Sequence, residues 1–125
     1  MKNKKTEARS RRKKSIRKKI YGTKETPRLC VFRSNLHIYA QVIDDDNGIT
    51  LIDASSNRKD AKEAIEKSEK KPAGKSEVAF HVGQILGKKI IDADLKGIVF
   101  DRNGYLYHGR VKSLADGIRK AGVKF

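Results

Sequence analysis

From Arg28 to Ile43 (RLCVFRSNLHIYAQVI) apolar and polar residues alternate with a period of two, which predicts two strands and a tight turn. Leu29, Val31, Ile38, Ala40 and Val42 form one set and are assigned to the core. Arg28, Cys30, Phe32, His37, Tyr39 and Gln41 form the other. The turn is assigned to Ser34-Asn35, because Asn tolerates the left-handed backbone that such hairpins need. Asp44 to Gly48 (DDDNG) closes the second strand, and Ile49–Ala54 reads as a third, antiparallel strand with Leu51 facing the core.

The period then changes. Arg58–Lys71 has a thin apolar stripe, Ala61, Ala64 and Ile65, and reads as a short exposed helix or linker ending at Pro72. Ser76–Ile91 carries Val78, Ala79, Val82, Ile85, Leu86 and Ile90 at helical spacing. Gly83 and Gly87 interrupt that run, and close packing on the sheet would rationalise them. Gly97–Phe100 is a short apolar run, a buried fourth strand, and a strand–helix–strand unit implies a right-handed crossover to a parallel neighbour. The loop Asp101–Gly104 leads to a last helix from about Arg110 to Ala121, with Val111, Leu114, Ala115 and Ile118 inward and Gly122 as its stop. The fold class is therefore α/β, a four-stranded mixed sheet with helices packed on one face, an open opposite face and a basic N-terminal arm.

Charge sharpens the division of the chain. Its 125 residues carry 30 Lys and Arg against 15 Asp and Glu, a net charge of +15. Residues 1–28 hold 13 basic and 2 acidic residues, whereas residues 29–125 hold 17 and 13. A nearly balanced domain, 26–125, thus follows a strongly basic arm, 1–25. Such asymmetry points to a polyanion, most often nucleic acid. The arm has too few large apolar residues to anchor on a membrane surface, and no run approaches the length of a membrane helix. It is expected to be disordered alone, or helical from about Glu7 to Tyr21 once phosphates neutralise it.

Catalytic chemistry finds little support. The single cysteine, Cys30, excludes an internal disulfide and a cysteine zinc site. The three histidines lack metal-ligand spacing, and no Ser or Cys has an identifiable base partner, so no metal, cofactor or small-molecule substrate is expected. Gly74-Lys75-Ser76 is rejected as a nucleotide loop: the required upstream glycine position is Glu69 and no strand precedes it.

The candidate chemistry is RNA contact. The arm offers Arg9, Arg11, Arg12, Lys13, Lys14, Arg17, Lys18 and Lys19 to phosphates. The open hairpin offers Arg28, Arg33, Ser34, His37, Tyr39 and Gln41, with rings for stacking and polar groups for sugars. Phe32 either joins them or covers the sheet edge. Ser55 and Ser56 end the third strand, where they meet RNA or cap the next helix. Arg102, Tyr105, Tyr107, His108 and Arg110 form a further cluster, with His108 at a helix N-terminus that favours anions. Asp101 is expected to hold Arg102 or the loop.

Two long runs in order, RLCVFRSNLHIYAQVIDD and FDRNGYLYHGRVKSLADGIRKAGVKF, resemble the bacterial form of large-ribosomal-subunit protein eighteen, and the likeness extends over nearly the whole chain. The resemblance implies a non-enzymatic, structural protein of the large ribosomal subunit in the cytoplasm. It implies 5S rRNA as ligand, attachment of that RNA to 23S rRNA in the central protuberance, and neighbouring 5S-binding proteins as partners. Two departures stand out: Cys30 replaces an Arg frequent in the family, and Lys70-Lys71-Pro72-Ala73 replaces a glycine-containing linker. A general basic nucleic-acid-binding protein is the alternative.

Overall fold

The computed structural model describes residues 4–67, 74–95 and 97–125. The stop predicted at Pro72 and the departure at 70–73 lie outside them. The chain runs α1 (Lys4–Arg17), β1 (Arg28–Arg33), β2 (Ile38–Asp44), β3 (Ile49–Ser55), α2 (Lys59–Lys67), α3 (Lys75–Asp92), β4 (Val99–Asp101) and α4 (Gly109–Lys120). The sheet order is β3-β2-β1-β4, with β4 parallel to β1 and the other neighbours antiparallel. A mixed sheet with a parallel crossover strand is thus observed as expected.

The alternation of the hairpin becomes burial. Leu29, Val31, Ile38, Ala40 and Val42 are at most 1% exposed and join Ala79, Val82, Leu86, Ile90, Val111, Leu114 and Ile118 in one core. Both main helices therefore cover the same face. Ala61 of α2, 1% exposed, also reaches this core, so α2 is anchored rather than a free linker.

Three local expectations are corrected. Leu51 is exposed, because a β-bulge between Val42 and Ile43 leaves it as an extra residue; Ile52 and Ala54 instead stand opposite Val42 and Ala40. The hairpin tip is Asn35-Leu36, closed by a bond from the Ser34 N–H to the His37 carbonyl at 2.8 Å, and Asn35 has no left-handed backbone. Gly83 and Gly87 serve helix–helix rather than helix–sheet packing. A Cβ on Gly83 would lie 2.2 Å from the Leu114 carbonyl, and one on Gly117 would lie 2.2 Å from that of Phe80. The two helices thus cross backbone to backbone.

Candidate nucleic-acid interface

On the uncovered face, β1 and β2 pair Phe32 with Tyr39 and Cys30 with Gln41. The Phe32 and Tyr39 rings are 5.9 Å apart, and His37 meets Tyr39 edge-on at 6.4 Å. Phe32 is 49% exposed, and together with Cys30, Ser34, Tyr39 and Gln41 it lines a shallow depression of about 430 Å³. Two accessible rings flanked by an amide, an imidazole and a hydroxyl can stack on bases and bond sugars. Burial pushes the Cys30 thiol up, so it stays neutral and adds no charge here.

Not every hairpin candidate reaches that surface. Arg28 is 4% exposed, and its fork is committed: Nε and Nη2 donate to Asp45 at 2.9 and 3.0 Å, and Nη1 donates to Asp101 at 2.8 Å. Asp45 also accepts the Gly22 N–H at 2.8 Å. The Arg28 bond holds the Asp45 carboxyl below the usual range, and the carboxylate raises the guanidinium in turn. Arg28 is therefore a structural clasp, placed inside rather than on the open face. Asp101 does hold its loop, by accepting the Asn103 N–H at 2.8 Å, but its arginine is Arg28 and not Arg102.

Ser55 and Ser56 are likewise buried, at 6% and 7% exposure. The Ser56 hydroxyl accepts the Ile38 N–H at 3.0 Å and lies 3.1 Å from His37 Nδ1, so it ties β3 to the hairpin. Neither caps α2 through its side chain; the Ser55 carbonyl accepts the Arg58 N–H.

The arm is a helix with two sides. Ala8, Arg9, Arg12 and Ile16 are half-buried, whereas Arg11, Lys13, Lys14, Arg17, Lys18 and Lys19 are exposed. Arg12 Nε donates to the Gly104 carbonyl at 2.8 Å, and the Arg9 guanidinium lies over the Tyr105 ring at 4.1 Å. Arg9 and Arg12 thus face the domain. Gly104 has φ +79°, and a Cβ there would come 2.5 Å from the Arg9 carbonyl, so the α1 backbone rests directly on this glycine.

Tyr105 is 7% exposed and belongs to the core, not to the surface the sequence suggested. Its hydroxyl accepts the Arg33 N–H at 3.3 Å, and the Arg33 guanidinium lies 4.9 Å from the ring centre. Arg102 donates to the Tyr105 carbonyl at 2.6 Å, and Arg110 to that of Ser34 at 2.9 Å. Tyr107, 41% exposed, accepts from Arg119. His108 is exposed at the N-cap of α4.

One group of residues escaped the sequence reading. Lys75 and Ser76 of the rejected triplet line a cleft of about 660 Å³ with Arg33, Leu106, His108 and Arg110. The cleft lies where α3 and α4 both begin. Their shared position at helix starts was the available signal, but nothing in a linear sequence brings two such starts together.

Comparison with known proteins gives a consistent result. The family model for ribosomal L18 of archaea, bacteria, mitochondria and chloroplast matches residues 3–125. The chain is 51% identical over 124 residues to large ribosomal subunit protein uL18 of Thermotoga petrophila, covering 99% of this chain and 98% of that one. It is 52% identical over 123 residues to the uL18 protein of Desulfosudis oleivorans, at 98% and 97% coverage. With that of Nitratidesulfovibrio vulgaris it shares 50% over 125 residues, the full length of both.

Proposed function

The chain belongs to the ribosomal L18 family, and we propose that, as a structural, non-enzymatic constituent of the cytoplasmic large ribosomal subunit, it binds 5S rRNA and helps attach it to 23S rRNA in the central protuberance. The observation that carries this reading is the separation of two surfaces. A half-open sheet face presents Phe32, His37, Tyr39 and Gln41, and α1 with the turn that follows it presents six exposed cations from Arg11 to Lys19. The helix supplies affinity through released counterions, and the sheet face supplies placement by reading RNA shape, ribose and exposed bases. Arg33, Ser34, Arg102, Tyr107, His108 and Arg110 extend that contact along the hairpin tip and the start of α4. Neighbouring 5S-binding proteins complete the set of partners.

A general basic nucleic-acid-binding protein would need no such defined face. The test is binding to 5S rRNA across a salt series, for the full chain and for a chain starting at Tyr21, which keeps Gly22 on Asp45. Loss of the arm should weaken binding and flatten the log–log salt slope by about 3 to 5 units. The shortened chain should still prefer 5S rRNA over unrelated RNA of equal length. Equal binding of both RNAs by the full chain would favour the general binder.

A further inference from the structure

We propose that the cleft where β3 begins and α3 ends is a docking site for a short, extended protein segment carrying an apolar side chain next to a lysine or arginine. The proposal rests on the ribosomal reading only for the source of that segment, a neighbouring protein of the subunit. The cleft holds about 730 Å³, more than either of the two described above. Its floor is apolar, with Leu51 and Ile52 from β3 and Ala93 and Leu95 from the end of α3. Glu25, Asp94 and Lys24 line it as well, and all three are exposed.

The cleft lies at the end of the sheet away from the hairpin tip. Arg28, Ile43 and Thr50 stand level there, whereas the tip follows Arg33. No residue assigned to RNA above lines it. β3 is the outer strand, so one edge of its first residues pairs with no described strand. Such edges are commonly guarded by lysine or proline. The run Ile49-Thr50-Leu51-Ile52 has neither, and Ile49 and Leu51 are exposed. Further along, the strand is covered: Lys89 of α3 donates to the Asp53 carbonyl at 3.3 Å. The bulge at Leu51 also interrupts the ladder. The free edge therefore suits a short segment anchored by a side chain, not a long added strand.

Charge selects the occupant. α3 ends in bonds from the Asp94 N–H to the Ile91 carbonyl at 3.0 Å and from the Leu95 N–H to the Ile90 carbonyl at 3.3 Å. Asp94 takes the left-handed position of this motif, at φ +59°, where glycine is usual. Its carboxylate also stands at the negative end of the helix. Both effects oppose an aspartate, and Glu25 adds a second carboxylate against the single cation of Lys24. Among the described residues neither carboxylate is in an ion pair. This rim repels RNA phosphates, and it equally repels the same rim on a second copy. A lysine or arginine from another protein would pair with the carboxylates while its apolar neighbour covers the floor.

The experiment is photo-crosslinking in assembled large subunits, from cells that make the full chain with p-benzoylphenylalanine in place of Leu51. The expected capture is a ribosomal protein, at a segment where an apolar residue adjoins lysine or arginine. Adding Glu25→Gln and Asp94→Gly to the same chain should cut that yield about fivefold or more. Asp94→Gly puts glycine at the left-handed position, so this chain should melt no lower than its parent, and lost capture is then not lost fold. Four results at Leu51 would overturn the proposal: capture of rRNA, of a second copy, of a segment without lysine or arginine, or of nothing in subunits that contain the probe. Undiminished capture by the charge variant would overturn it too. The same probe in place of Phe32 tests the functional reading separately and should capture rRNA. Failure there would sink that reading and leave the result at Leu51 standing.

Discussion

Arg28 carries a charge that never reaches the surface. Two carboxylates from different segments close on it, and one of them also holds the chain at Gly22. Removing one partner of such a buried group exposes the cost of burying the other. Asp45→Asn should therefore lower stability at neutral pH by about 2 to 3 kcal/mol, measured by urea unfolding. The sign with pH follows from the depressed Asp45 carboxyl. Its stabilising effect is present above the ordinary aspartate value near 4 and is lost as pH falls through the lower folded value. From pH 7 to pH 3 the native chain should lose more stability than Asp45→Asn. Parallel curves for the two proteins would mean that the clasp is not what titrates.

At the scale of elements, the helix contact and the open sheet face make separate demands. In isolation Gly83→Ala would favour a helix by about 1 kcal/mol. Here the added methyl meets a carbonyl of α4, and the substitution should cost about 2 kcal/mol or more, visible as a lower melting temperature. On the open face, Tyr39→Ala should weaken 5S rRNA binding by about 1 to 3 kcal/mol while leaving the salt slope unchanged. A changed slope would mean that the ring acts through the placement of charges instead. The hairpin and both main helices were legible in the sequence because their periods are carried by large apolar residues. Leu51 was misread because a bulge shifts the parity of a strand without altering its composition. Arg28 was misread for a related reason: alternation says which face a residue takes, but not whether a carboxylate 73 residues away covers it. Tyr105 lies between β4 and α4, where no period exists to read and nothing local says that an arm helix covers it.

Over the whole molecule, charge is distributed unevenly. The basic excess sits in the first 28 residues, and the domain that follows is nearly neutral. The sequence made that division plain, and with it the expectation of a polyanion. It did not show that α1 spends Arg9 and Arg12 on the domain and turns its other cations outward. Neutralising those outward residues in the full chain, as Lys13→Gln with Lys14→Gln and Lys18→Gln, should lower affinity for every RNA alike. It should also reduce the salt slope by about 2 to 3 units. A loss confined to 5S rRNA would place sequence or shape reading in the arm.

The parallel pairing of β4 with β1 has a consequence for biosynthesis. The hairpin and β3 can zip together as soon as they are made, but the remaining edge of β1 waits for residues 99–101. Asp101 is made 73 residues after Arg28, a delay of about 4 to 15 s at ordinary rates of translation. Throughout that interval the nascent chain presents an unsealed strand edge beside the apolar side chains of Leu29 and Val31, still without their helices. This chain is thus most exposed to misassociation while it is being made, and shielding at that stage would matter more than any gain in final stability.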